Sequence, residues 1–131
     1  MIIVYGGKYQ GTESFAKELA DKRAGSVLVL RFMEKCREEL AAGKDPYEEL
    51  MALMTPAGLK TSESDAASGM ETENKITGQL IIEAREIGNG IVPLDKEDRI
   101  FREEYGRLLL RLAKEADEIY RVICGIAQRI K

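Results

Sequence analysis

Ile2 to Ala20 reads IIVYGGKYQGTESFAKELA: an apolar β-rich run, a glycine turn and an amphipathic helix in direct succession. Ile2 to Tyr5 is short, apolar and ended by Gly6-Gly7, which predicts a buried strand feeding a turn. From Thr12 to Arg23 the apolar residues Phe15, Ala16, Leu19 and Ala20 recur at helical spacing. Gly11 or Thr12 serves as N-cap, and Glu13 and Glu18 suit the positive end of a helix. Strand, glycine turn and helix together form the layout of a phosphate-binding loop, whose pattern is G-x-x-x-x-G-K-[ST]. Gly6 and Gly11 stand at the required separation, with Gly7 and Lys8 between them.

The next two positions break the pattern. Thr12 stands where the phosphate-pairing lysine belongs, and Glu13 where the magnesium-binding hydroxyl belongs. Losing one charge-assisted contact removes roughly 1.5–3 kcal/mol. A carboxylate about 4 Å from a phosphate charge adds repulsion on the order of 4 kcal/mol at an effective dielectric near 20. Affinity for ATP or GTP with Mg would therefore be weak, unless Glu13 turns to solvent or Lys8 folds into the loop. The loop also reads as a tight strand-to-helix turn that keeps its glycines for backbone reasons. A simple anion remains compatible with either reading, because free N–H groups at a helix start need no lysine.

Working outward, Gly25 closes the first helix and Val27 to Leu30 forms a second buried strand. A helix follows from Phe32 to Ala42, and Asp45-Pro46 restarts one through Met54, with proline suited to the first helical position. Residues 55–74 are polar and rich in Ser, Glu and Gly, which predicts a mobile loop. Leu80-Ile81-Ile82 is a third strand, and EIGNGIVPLD a turn segment. A long helix from Lys96 to Ala116 carries the stripe Ile100, Phe101, Tyr105, Leu108, Leu109 and Leu112. Glu118 to Cys124 is the last strand, ended by Gly125. Strands separated by crossover helices imply one P-loop-like α/β domain over residues 1–131, a three-layer arrangement around a mostly parallel sheet of four or five strands.

Composition narrows the function. The chain has 131 residues, a net charge of -3 and no histidine. An imidazole base, a phosphohistidine and a histidine metal ligand are all excluded, and no catalytic residue or metal site is assigned. The charge balance argues against nucleic acid as partner, and Arg99, Arg102, Arg107 and Arg111 are interleaved with acidic residues as on a solvated helix face. No run is long and apolar enough for a membrane. Cys36 and Cys124 lie far apart in apolar runs, which fits a reducing cytoplasm.

The residues resemble a known family, the adenosylcobinamide kinase/adenosylcobinamide-phosphate guanylyltransferases of cobalamin biosynthesis. Glu86-Ile87-Gly88-Asn89-Gly90-Ile91-Val92-Pro93 resembles that family's N-E-V-G-x-G-I-V-P stretch, and Arg99 to Lys131 its closing helix, strand and tail. Ile2 to Ala20 resembles its first strand, G-G-x-R-S-G-K-S loop and helix, and VLVLRFMEKCREELAAGKDPYEEL its second strand and G-R-D-P turn. The resemblance implies a nucleotide-binding fold, a corrinoid or nucleotide as ligand, and a homo-oligomer, trimeric in the family. It also exposes losses. The family's loop Lys and Ser correspond to Thr12 and Glu13, its strand-end Asp to Leu30, its Asn to Arg85, and a polar Asn-Gln pair to Leu109-Leu110. Its histidine segment has no counterpart between Arg23 and Val27, so guanylyl transfer by the histidine mechanism is excluded.

What survives is Glu86, Gly88, Gly90 and Pro93. These form either a ligand or subunit turn, or a turn that needs glycine at positive φ with Glu86 bonding nearby backbone N–H groups. The expectation is a degenerate relative, a non-catalytic binding or assembly protein linked to cobalamin metabolism. The alternative is a diverged nucleotide-dependent cobinamide kinase.

Overall fold

A computed structural model describes residues 1–54 and 78–131; the loop expected over 55–74 lies outside the described residues. The elements in chain order are β1 (Ile2–Gly6), α1 (Thr12–Lys22), β2 (Val27–Val29), α2 (Phe32–Ala41), α3 (Pro46–Ala52), β3 (Leu80–Arg85), α4 (Lys96–Glu115), β4 (Glu118–Ile123) and β5 (Ile126–Arg129). They build one five-stranded sheet in the order β2-β3-β1-β4-β5. β2, β3, β1 and β4 run parallel, and β5 pairs antiparallel with β4. This is the expected α/β architecture with a mostly parallel sheet.

The period-2 alternation of the strands sorts their side chains between two cores. Ile2 and Val4 of β1, with Ile81 and Val122, pack against Ala16 and Leu19 of α1. Ile3 of β1, with Leu80, Ile82 and Ala84, faces α2, α3 and α4 through Phe32, Cys36, Leu50, Phe101, Tyr105 and Leu112. Each fully buried Ile, Leu or Phe contributes about 1.5–3 kcal/mol, so the central strands carry most of the sheet's stability. The helix starts follow their sequence signals. Asp45 accepts the Tyr47 N–H at 2.9 Å ahead of Pro46, and Asp95 accepts the Glu97 N–H at 2.8 Å.

β2 ends one residue and α3 two residues before the expected Leu30 and Met54, and two larger differences concern β3 and β4. β3 continues past Ile82 to Arg85 and carries a buried carboxylate, Glu83, in its interior. β4 stops at Ile123, and the chain turns through Cys124-Gly125 into β5 instead of ending its sheet there. Both turn residues have positive φ, 50° and 76°, as a two-residue type I′ hairpin turn requires.

Candidate functional site: the glycine-loop end of the sheet

β1 and β3 lie side by side, yet their outgoing connections diverge. β1 leads through α1 to β2 on one side, and β3 leads through α4 to β4 on the other. Their carboxyl ends therefore form the crevice in which doubly wound sheets bind ligands. The glycine loop, residues 7–11, leaves β1 there, and the 86–93 turn leaves β3 beside it. The Glu86 N–H donates to the Gly6 carbonyl at 2.9 Å, which ties the two together.

Gly6 is required by space. A Cβ on it would lie 2.6 Å from the Val122 carbonyl oxygen and 2.7 Å from Thr12 Cγ2. Gly11 is required by conformation, with φ of 89° as the residue that caps α1. Gln10 donates its N–H to the Gly7 carbonyl at 3.3 Å, closing a turn with Lys8 and Tyr9 at its centre. Lys8 does not fold into the loop: its ammonium lies 5.0 Å over the exposed Tyr9 ring.

Thr12 is buried, and its hydroxyl donates to Glu83 Oε1 at 2.9 Å. Glu83 is itself only 1% exposed, and its Oε2 accepts the Arg31 N–H at 2.9 Å. Each carboxylate oxygen thus has a donor from the chain. Sequence reasoning passed over Glu83 because a lone charge after Leu80-Ile81-Ile82 looks like the end of a strand. Leu30, at the position of the family's strand-end Asp, packs instead against the core beneath α1 and lines a cleft of about 440 Å³ with Glu13, Arg31, Glu34 and Lys35.

Glu13 points outward and pairs with Lys17 at 2.7 Å. That hydrogen bond and the Lys17 charge hold its carboxyl below the usual range, and Arg31 and Arg85 add to the effect. Arg85 in turn bonds Glu34 at 2.7 Å. Among the described residues no group of three or more Cys, Asp or Glu could hold a metal ion.

The 86–93 turn has the backbone that its glycines implied, with φ of 122° at Gly88 and 131° at Gly90. Its other bonds differ from expectation. The Glu86 carboxylate accepts the Asn89 side-chain amide instead of backbone N–H groups. Arginines of α4 supply the remaining support. Arg102 donates to the Gly88 carbonyl, and Arg99 to those of Pro93 at 3.0 Å and Leu94 at 2.6 Å. The apolar side chains of the segment are left outside, with Ile91 97% and Leu94 98% exposed. Beside this turn, Tyr5, Ile87, Leu109, Leu110, Ile119 and Ile130 line an apolar cleft of about 290 Å³.

Comparison with known proteins bears on this assembly of elements. A sequence model described as cobinamide kinase / cobinamide phosphate guanyltransferase matches residues 48–130, more than half of the chain. The chain belongs to the cobinamide kinase / cobinamide phosphate guanyltransferase family. The matched span contains β3, the 86–93 turn, α4 and the β4–β5 hairpin, whereas the glycine loop lies before it. The chain is also similar to the bifunctional adenosylcobalamin biosynthesis protein CobU of Salmonella typhimurium, at 42% identity over 53 residues. That alignment covers 40% of this chain and 29% of the relative, so it spans less than a third of the relative's length. Among the described residues no helix is long and apolar enough to cross a membrane.

Proposed function

We propose that this chain is a non-catalytic member of its family, a binding or assembly protein that keeps the fold without phosphoryl transfer. The observation that carries this reading is the Thr12–Glu83–Arg31 linkage. In P-loop enzymes the phosphate-binding lysine, a loop hydroxyl and a strand carboxylate converge on phosphates and magnesium. Here the lysine position is a threonine whose hydroxyl is spent on Glu83, and the second Glu83 oxygen is spent on the Arg31 N–H. The hydroxyl position is Glu13, which points outward to Lys17 and offers no hydroxyl for magnesium. This residue set does not fit Mg-ATP or Mg-GTP.

The assembly half of the reading rests on apolar surface. Ile91, Val92 and Leu94 are exposed on one turn, Leu110 and Ile130 are exposed in the lining of the neighbouring cleft, and Ile126 is exposed on β5. Contiguous exposed apolar surface marks a contact with another molecule, and the Ile91–Leu94 turn with the neighbouring cleft would supply it. A homo-oligomer would cover it, and sedimentation of the pure protein would return a multiple of 14.6 kDa.

The test is thermal unfolding with Mg-ATP, Mg-GTP, cobinamide and each pair, alongside an assay for nucleotide-dependent phosphorylation of cobinamide. A ligand at about a hundred times its Kd stabilises by roughly 2.7 kcal/mol, enough for a shift of several degrees. The expected result is no shift with either nucleotide and no phosphorylated product. A nucleotide shift with turnover would replace this reading by a diverged cobinamide kinase. A shift with cobinamide alone would make the chain a corrinoid binder.

A further inference from the structure

Among the described residues three non-glycine residues adopt positive φ: Tyr9 at 62°, Arg31 at 52° and Cys124 at 50°. All three lie at the carboxyl ends of the parallel strands, in the connections that leave β1, β2 and β4. Such a conformation is uncommon for any side chain beyond Gly, Asn and Asp, and it persists only where neighbouring contacts over-determine it. For Arg31 the contact is its own N–H bond to the buried Glu83. For the other two it is Gln10.

The β4–β5 ladder ends at the Ile123–Ile126 pair, so the N–H groups of Cys124 and Gly125 find no partner within their own hairpin. Gln10 takes both. Its side-chain Oε1 accepts the Cys124 N–H at 2.6 Å, and its backbone carbonyl accepts the Gly125 N–H at 2.9 Å. The two backbones are close enough that a Cβ on Gly11 would meet Gly125 Cα at 3.3 Å. Tyr9, adjacent to Gln10, sits at the third position of the Gly7–Gln10 turn, where positive φ is ordinarily supplied by Gly or Asn.

We infer that Gln10 is a clasp that locks the glycine loop to the β4–β5 turn, so that the loop and the edge hairpin change conformation only together. With the side-chain bond removed, the turn loses one of its two anchors, and Tyr9 is free to relax toward negative φ. The clasp also connects the turn that leads into β5, an edge strand among the described residues, to the loop at the crevice. The inference goes beyond the non-catalytic reading and does not depend on it, because it concerns loop shape and not nucleotide.

The test compares the labelled full chain with Gln10→Ala and Gln10→Glu by amide hydrogen exchange, and by the one-bond Cα–Hα coupling of Tyr9, which reports the sign of φ. Gln10→Ala should raise exchange at Cys124 by about tenfold, the effect of losing one charge-free hydrogen bond of ordinary strength. Exchange at Gly125 should rise with it, and the Tyr9 coupling should move toward negative φ, while the buried Ile81 amide keeps its protection. Gln10→Glu retains an acceptor at the same reach and should stay close to the parent. Unchanged exchange at Cys124 or an unchanged Tyr9 coupling in Gln10→Ala would overturn the clasp. If Gln10→Ala fails to fold, Gln10→Asn, one methylene too short, carries the same readout, and full protection of Cys124 in that variant would overturn it equally.

Discussion

Thr12 Oγ1 donates to Glu83 Oε1 at 2.9 Å, joining the first residue of α1 to the interior of β3 across 71 positions of sequence. Thr12→Val keeps the shape of the side chain and removes the donor, leaving a carboxylate oxygen that is buried without a partner. Such an oxygen costs about 1–3 kcal/mol. The midpoint of thermal unfolding should fall by roughly 4–11 °C for a chain of this size. Thr12→Ser, which keeps the donor, should recover most of that loss. Equal midpoints for Thr12→Val and the parent would mean that the bond contributes nothing.

Gly6 and Gly7 should respond differently to the same substitution. Gly6→Ala drives a methyl against the Val122 carbonyl oxygen at 2.6 Å and Thr12 Cγ2 at 2.7 Å, so β4 or the start of α1 has to move. Overpacking of this kind costs about 1–3 kcal/mol. Gly7→Ala meets only Gln10 Cγ at 3.3 Å, on a side chain that can shift. Denaturant midpoints should place Gly6→Ala well below Gly7→Ala, and the reverse order would contradict the packing described for this loop.

The first strand, loop and helix were legible because the apolar period changes from 2 to 3.6 across Gly6–Gly11, and no tertiary contact is needed to see it. The same holds for α3 and α4, each opened by an aspartate cap. β5 was hidden because only two residues separate it from β4, and the first is Cys124 where a hairpin turn usually shows Asn or Asp. Glu83 was hidden for a different reason: what makes a strand-interior charge tolerable is a hydroxyl from residue 12 and an N–H from residue 31, and sequence order does not reveal that they meet. Gln10 belongs with Glu83. Its partners are about 114 positions away, on the hairpin that was itself unseen.

Tyr105 is fully buried between Phe32 and Phe101, with ring centroids 6.3 Å and 5.7 Å away. Its hydroxyl makes no well-formed hydrogen bond among the described residues, although the Arg85 backbone faces it. A buried hydroxyl without a partner is a liability that a hydrogen atom removes. Tyr105→Phe should leave stability unchanged or raise it by about 1 kcal/mol, read as a higher denaturant midpoint at constant slope. A loss of more than about 1 kcal/mol would show that the hydroxyl is bonded after all.

Burial also sets how the protein responds to alkali. Desolvation pushes the Cys36 thiol up from 9.0 to about 12, and the nearby Glu39 charge adds to it. Desolvation likewise raises the Tyr105 phenol above its ordinary 10.0. In both cases the folded state holds the proton more tightly than the unfolded chain. Their contribution to stability is therefore complete below the unfolded pKa and is lost as pH rises toward the folded one. The denaturant midpoint should be level between pH 7 and 8 and should decline from about pH 9 upward, the range opened by the Cys36 shift. Cys36→Ala lowers stability at every pH by leaving a small cavity, yet its decline should begin about one unit later, where tyrosine takes over. Thiol chemistry gives the companion measurement. Cys124 is exposed and should react with a thiol reagent at pH 8, whereas Cys36 should react only after unfolding. Two equivalents reacting in the native protein would mean that the pocket holding Cys36 opens on the timescale of the reagent, and the alkaline decline would then be smaller than its burial implies.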